Sequence, residues 1–148
     1  MKQLCKFLSL THTERQLFIK AFLLLALVRL GMWSLPFKTL RRLLAIISQA
    51  NPVGLQQYSP TTDQIVEAVN RSSRYLPGNA KCLARALTTQ TLMSQYCYSA
   101  ELRIGVAKGE QGQFEAHAWV ESQGKIVIGN LRDLSRFTPM SSFERSRL

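Results

Sequence analysis

The stretch that decides the fold is PGNAKCLARAL, residues 77–87. It predicts a turn that leads directly into a helix, because Asn79 is a favourable N-cap and apolar residues follow at helical spacing. Cys82 is then expected in the first helical turn, beside Lys81, where unpaired backbone N–H groups and the positive end of the helix dipole stabilise a thiolate. A buried structural cysteine gives the same pattern, so a reactive thiol needs a base elsewhere in the chain.

The composition indicates one ordinary domain with an unusual charge. The chain has 148 residues, of which 46% are hydrophobic, and its formal net charge is +10. A strongly basic surface favours an acidic partner, such as nucleic acid, an anionic membrane or an acidic peptide or protein. No nucleic-acid-binding motif accompanies the charge, so no nucleic-acid partner is expected.

The cysteines and histidines restrict the metal and redox chemistry. Cys5, Cys82 and Cys97 show no CxxC spacing, which argues against a disulfide framework and against a zinc site. The two histidines, His12 and His117, are too few for most metal sites. We therefore expect no bound metal and a reducing, cytoplasmic location.

Residues 1–60 are predicted to form a helical hairpin and a connector. The first helix is expected from about Glu14 to Trp33, capped by Thr13, and a second helix follows Pro36. The apolar run at residues 21–28 is too short to span a bilayer, and Arg29 interrupts its extension. Its near all-round hydrophobicity suggests burial on more than one face. Packing on the rest of the domain is therefore favoured over a peripheral membrane contact.

Residues 61–148 are predicted to form the core of the domain. A third helix, capped by Thr61 or Thr62, runs to about Tyr75, and the cysteine helix continues to about Tyr96. The apolar period then changes from helical to alternating, which predicts strands at 101–106, 114–121 and 125–130. Helices followed by an antiparallel meander indicate an α+β fold.

His117 is the candidate base, and the hairpin register decides its neighbour. If Gln123 and Gly124 form a two-residue loop, Asn130 lies directly opposite His117, with Cβ atoms about 4.5–5.5 Å apart. Asn130 could then orient the imidazole, whereas a loop one residue longer would place Gly129 there. Asp133 is the reserve orienting residue. The predicted pairs are Ser122 with Lys125, Trp119 with Ile128 and His117 with Asn130.

Together, Cys82, His117 and Asn130 make a nucleophile, a base and an orienting group. Papain-like enzymes use Cys-His-Asn in the same roles. The backbone N–H of Cys82 could contribute to an oxyanion hole. The structural alternative is a half-buried histidine satisfied by a backbone carbonyl.

Three motifs carry a resemblance to a known family: CLARAL (82–87), LRIGV (102–106) and AHAWVE (116–121), followed by Gly124. In this order they resemble the transglutaminase-like cysteine peptidases of lasso-peptide biosynthesis, the peptidase portion of the B-type maturation protein, over roughly residues 63–138. The resemblance implies a transglutaminase/papain-like core with the nucleophile helix packed on an antiparallel sheet. It also implies Cys82 as nucleophile and His117 as general base and acid. The family often has an aspartate after the histidine, where this sequence has Gly129 and Asn130.

The resemblance further implies the partners of a leader peptidase. Such an enzyme removes the leader from a ribosomally made precursor peptide. No strand-rich, winged-helix-like segment precedes Asp63, so a separate leader-recognition protein is expected, together with a lasso cyclase. Cleavage itself needs no cofactor, and ATP is implied only for the cyclase. The basic charge suits an acidic peptide or partner, with candidate contacts at Arg41, Arg42, Arg71 and Arg74.

Two other functions remain open from the sequence. The same residues could perform a transglutaminase-type acyl transfer to an amine instead of to water. Alternatively, the chain could be a non-catalytic basic peptide-binding module in which Cys82 and His117 are core residues.

Overall fold

The computed structural model describes residues 10–50, 59–77 and 82–140. The helices in these ranges are α1 (His12–Ser34), α2 (Phe37–Gln49), α3 (Thr62–Tyr75) and α4 (Cys82–Gln95). The strands are β1 (Glu101–Lys108), β2 (Phe114–Ser122), β3 (Lys125–Ile128) and β4 (Thr138–Pro139), with a short 3-10 helix, Leu134–Arg136, before β4. The strands form one antiparallel sheet in the order β3-β2-β1-β4. The predicted α+β class is confirmed.

The first helix starts earlier than the sequence pattern predicted. Thr11, not Thr13, is the N-cap, and its side chain accepts a hydrogen bond from the backbone N–H of Glu14 at 3.4 Å. The Glu14 carboxylate accepts in return from the Thr11 N–H at 3.0 Å, which completes a capping box. A carboxylate in the first turn also interacts favourably with the helix dipole. Gln16, the partner that a capping box at Thr13 would have used, carries no charge and could not provide this advantage.

Replacing Thr11 by Ala should therefore lower the free energy of unfolding by about 1 kcal/mol, the usual cost of losing an N-cap side chain. Urea denaturation of the purified variant measures this loss. Thr13→Ala is the matched control, because it keeps both bonds of the capping box, and its effect should be clearly smaller. A larger loss in the Thr13 variant would contradict the cap assignment.

Helix α1 is buried along one face only, which corrects the prediction of burial on several faces. Its buried residues lie on one side of the helix and include Ala21, Leu25 and Val28. By length and composition alone, α1 is apolar enough to cross a membrane. In this structure it packs against α3 and α4, and large apolar side chains on the opposite side of the helix are exposed.

Helix α4 lies between the helical hairpin and the sheet. It packs on β2 with one side and on α1 and α2 with others, and Leu87, Leu92 and Met93 are fully buried there. The hairpin, α3, α4 and one sheet face share a single hydrophobic cluster. The division of the chain near residue 60 stays a prediction.

The two faces of the sheet have different environments. Ala118 and Val120 of β2 face α4 and join the main hydrophobic cluster. Because side chains alternate along a strand, His117 and Trp119 project from the other face. There Trp119 packs with Ala107 and Phe137 in a second, smaller cluster.

The hairpin between β2 and β3 confirms one part of the predicted register and corrects the rest. Gln123 (φ 51°) and Gly124 (φ 76°) form the predicted two-residue loop, and Ser122 pairs with Lys125. The register then shifts by one residue, since Glu121 pairs with Ile126 while Val120 pairs with Ile128.

Val127 is the extra residue, and it forms a β-bulge in β3. The predicted pairing of Trp119 with Ile128 is therefore wrong. Strand β3 also ends at Ile128, so the ladder does not extend to a pair between His117 and Asn130.

Candidate active site

Cys82 opens the helix that the sequence predicted for it. The residue begins α4, its thiol is free, and its side chain is half-buried against the main hydrophobic cluster. The start of a helix favours the thiolate over the thiol, because the local dipole is positive. The predicted cap Asn79 and the neighbouring Lys81 lie outside the described residues.

A cation lies one helical turn after the thiol. Arg85 donates a hydrogen bond from Nη2 to the Asn70 side-chain oxygen of α3. This bond ties the nucleophile helix to α3. Residues three apart on a helix are neighbours on its surface, so Arg85 adds positive charge on the Cys82 side of α4.

His117 is held by a backbone carbonyl. Its Nε2 lies 2.6 Å from the carbonyl oxygen of Gly129. A carbonyl oxygen can only accept, so Nε2 carries the proton and the lone pair of the neutral ring is on Nδ1. The contact that a structural histidine would make also prepares the tautomer that a general base needs.

Two aromatic side chains fix the orientation of the imidazole. The Trp119 ring stacks on it at 6.2 Å between centroids and 17° between planes. Phe137 lies at 5.6 Å on a tilted plane. The ring is therefore restrained by packing as well as by its hydrogen bond to Gly129.

Gly129 occupies a position that no other residue fits without movement. Its φ is 84°, and an added Cβ would lie 2.6 Å from the Ala118 carbonyl oxygen and 2.9 Å from the Trp119 Cα. Positive φ combined with this close approach requires glycine. The bulge at Val127 brings the Gly129 carbonyl to His117.

Asn130 does not have the contact that the predicted register gave it. Among the described residues, no hydrogen bond joins Asn130 to His117, whose bonded partner is Gly129. The one-residue shift at the bulge explains the difference. The pairing on which a catalytic role for Asn130 was based is therefore not present, and that role stays a prediction.

Asp133, the reserve orienting residue, forms its hydrogen bond with Arg136. Arg136 donates to its carboxylate at 2.6 Å and also contacts Glu115 at 2.5 Å. The Arg136 hydrogen bond holds the pKa of Asp133 below its usual value, and the charge of His117 contributes a smaller lowering. Asp133 is thus close enough to His117 for electrostatic interaction, while its hydrogen bond goes to Arg136.

Substituting Arg136 by Ala should raise the pKa of Asp133 toward its ordinary value of 3.8. With Arg136 present, the pKa of Asp133 is lower in the folded protein than in the unfolded chain. The contact therefore stabilises the fold at pH values above the unfolded-state pKa. This stabilisation is lost as the pH falls through the folded-state pKa. A carbon-detected NMR titration of the carboxyl group measures the shift. The exposed neighbour Arg132→Ala is the control, and an unchanged pKa in the Arg136 variant would contradict the assignment.

The Cys82 thiol and the His117 imidazole lie on different sides of the sheet. No hydrogen bond between Cys82 and His117 is found in residues 10–50, 59–77 and 82–140. Cys82 packs in the cluster on the α4 side of the sheet, whereas His117 packs with Trp119 and Phe137 on the other face. The described residues therefore show no contact between the candidate nucleophile and the candidate base.

The four predicted contact arginines are divided between two helices. Arg41 of α2 is partly buried near the Phe37 ring, and burial lowers the pKa of its guanidinium. Arg42 is exposed on the same helix. On α3, Arg71 forms an ion pair with Glu67 at 2.5 Å and Arg74 is exposed. Helices α2 and α3 make no extensive contact with each other.

Comparison with known proteins identifies the family of the fold. A family model described as the transglutaminase-like superfamily matches residues 23–142, a range that contains Cys82, His117, Gly129 and Asp133. No curated protein and no solved structure gave a significant match. The family match covers most of the chain, and the nucleophile helix packs on an antiparallel sheet as the resemblance implied. The chain therefore belongs to the transglutaminase-like superfamily.

Proposed function

We propose that this protein is a cysteine peptidase that removes the leader from a ribosomally made lasso-peptide precursor. The superfamily includes cysteine peptidases and acyltransferases, and both reactions pass through an acyl-cysteine. The observation that carries the proposal is the state of His117, whose Nε2–H is bound by the Gly129 carbonyl so that Nδ1 can accept a proton. A nucleophile candidate, Cys82, opens the adjoining helix.

The reaction begins with proton transfer from the Cys82 thiol to Nδ1 of His117. The thiolate attacks the scissile carbonyl, and the developing oxyanion is stabilised by backbone N–H groups at the start of α4. The imidazolium then protonates the leaving amine, which releases the core peptide and leaves the leader as a thioester on Cys82. Water, deprotonated by His117, attacks the thioester and frees the leader with a new carboxylate.

The mechanism requires the Cys82 thiol and the His117 ring to approach each other when substrate binds. The Gly129 carbonyl and the two aromatic rings restrain His117, and Cys82 packs against the main cluster, so this approach is a conformational change that the proposal requires. The helix dipole and Arg85 support the thiolate in the meantime.

The partners follow from the same proposal. A separate leader-recognition protein delivers the precursor, and a cyclase closes the ring, with ATP used at the cyclase and no cofactor used for cleavage. A net charge of +10 suits an acidic leader or partner, and exposed Arg42 and Arg74 are the more accessible of the predicted contacts. The reducing cytoplasm keeps the free thiol active.

Product analysis tests the proposal and separates it from acyl transfer. Purified protein, precursor and leader-recognition partner are incubated with and without an added primary amine, and the products are identified by mass spectrometry. We expect core peptide and a leader that ends in a free carboxylate, with amine adducts as minor products. Predominant amine adducts would favour the acyltransferase, and a precursor that is bound but not cut would favour the binding module.

A further inference from the structure

Helix α1 carries a row of large apolar side chains on the side that faces away from the core. We call this row, Ile19, Leu23, Leu27, Leu30 and Trp33, the apolar ridge. All five are exposed, and Trp33 is the most exposed, at 87%. Surface patches of this kind mark interaction sites more often than isolated exposed residues do.

The ridge is continuous and straight. Its members are spaced by three or four residues, so they occupy one side of the helix over about 21 Å. The buried residues Ala21, Leu25 and Val28 lie on the opposite side. Because α1 and α2 both pack on α4, the outer surfaces of the hairpin face away from the sheet.

The segment that contains the ridge carries positive charge and no negative charge. Between Glu14 and Asp63 the sequence has no aspartate or glutamate. The basic residues in this interval are Arg15, Lys20, Arg29, Lys38, Arg41 and Arg42. An anionic surface is the electrostatic complement of such a segment.

The outer side of α2 repeats the combination of cations and apolar groups. Lys38 and Arg42 are exposed, and Leu43 and Ile46 are exposed beside them. A helical surface that presents aliphatic side chains and a tryptophan next to lysine and arginine is typical of helices that lie in the membrane interface.

We propose that the hairpin α1–α2 docks on an anionic lipid membrane, with the apolar ridge in the interface and α1 parallel to the membrane plane. Lateral packing of Ala21, Leu25 and Val28 on the domain favours this orientation over a spanning one. A second copy of the chain is a poor occupant, since it would bring the same acid-free, basic surface against itself.

Vesicle binding by the full chain tests the proposal. Co-sedimentation is compared for vesicles of phosphatidylcholine alone and vesicles that also contain phosphatidylglycerol. We expect binding to the anionic vesicles, weakened roughly tenfold or more when the salt is raised to about 1 M, where the Debye length is about 3 Å. No binding to either vesicle, or equal binding to both, would overturn the proposal.

The ridge is tested with the variant Leu23→Ser/Leu27→Ser/Leu30→Ser, which changes exposed positions only. Partition onto anionic vesicles should fall by roughly tenfold or more, because apolar area no longer enters the interface. The matched control is Phe114→Ser/Leu131→Ser, which removes two exposed apolar side chains of the sheet half of the domain. Undiminished binding of the ridge variant would refute the role of the ridge.

Tryptophan fluorescence gives a second readout that needs no change in the ridge leucines. The chain has two tryptophans, and Trp119 is only 4% exposed whereas Trp33 is 87% exposed. Anionic vesicles should shift the emission of the wild-type protein to shorter wavelength, and Trp33→Phe should abolish the shift. Light scattering in the absence of lipid identifies the rival occupant, because a dimer that the ridge variant dissociates would show that a second copy covers the ridge.

Discussion

Cys82→Ala is expected to abolish cleavage of the precursor, with a loss of about a thousandfold or more relative to wild type. Removing a nucleophile that acts with a base typically costs at least this much, because the remaining groups have no acyl-enzyme to form. The measurement is the rate of leader release, followed by mass spectrometry with the leader-recognition partner present. Cys97→Ala is the matched control, since Cys97 is an exposed free cysteine just beyond the C-terminal end of α4.

Alkylation of the wild-type protein gives an independent measure of the same thiol. A thiolate supported by a helix start and a basic partner should react with iodoacetamide faster than Cys97 near neutral pH. Undiminished leader release by the Cys82→Ala protein, or a Cys82 that reacts more slowly than Cys97, would contradict the mechanism.

Gly129→Ala is expected to have the second-largest effect, through the position of His117. The new Cβ cannot lie 2.6 Å from the Ala118 carbonyl oxygen, so the backbone of Gly129 must move and its own carbonyl leaves Nε2. The free energy of unfolding should fall by about 1–3 kcal/mol from backbone strain. Activity should fall by roughly a hundredfold, the scale on which small misplacements of catalytic groups act.

Two control variants separate positioning of His117 from simple loss of stability. Gly124→Ala introduces a side chain at similar φ (76°), but its Cβ would meet no atom within 4 Å, and Gly124 does not contact His117. Asn130→Ala removes the side chain that the register prediction assigned as orienting group, and its effect should be small.

The pH profile of kcat/KM is the readout that a purely structural role would not change. It should shift in Gly129→Ala, where the ring loses its acceptor, and stay in place in Gly124→Ala. A larger loss or a shifted profile in Asn130→Ala would restore Asn130 as the orienting residue. An unchanged profile in Gly129→Ala would exclude the positioning role of its carbonyl.

The sequence predicted the elements of this fold well because their signals are local. Apolar spacing located the helices, and the Gln123-Gly124 loop was predicted from a glycine-containing turn between two strand patterns. The bulge at Val127 has no such local signal, since valine is an ordinary strand residue and the shift depends on how the strands pack. Because of this one bulged residue, the Gly129 carbonyl lies beside His117 in place of the predicted Asn130 side chain.

Other differences come from competition between similar local options. Thr11 and Thr13 both offer a hydroxyl three residues before a partner for a capping box, and the charged partner Glu14 decided between them. The uncovered side of α1 could not be predicted either, because hydrophobicity alone does not show which of two apolar faces meets the core. Gly129 could have been noticed as a glycine inside the predicted strand 125–130, a common sign of a bulge or of a close approach of the backbone.

A main-chain acceptor beside the histidine changes what evolution or engineering can vary at this site. Side-chain substitutions around His117 leave this acceptor in place, provided that residue 129 stays glycine. Insertion of one residue between the hairpin loop and Gly129 would instead bring a different residue to that position. Inserting one residue before Val127 while the bulge is kept would move Asn130 to the position opposite His117, whereas deleting Val127 would remove the bulge and leave Ile128 opposite Val120. The proposed orienting group thus depends on the spacing between the hairpin loop and Gly129, and a search limited to side chains would overlook it.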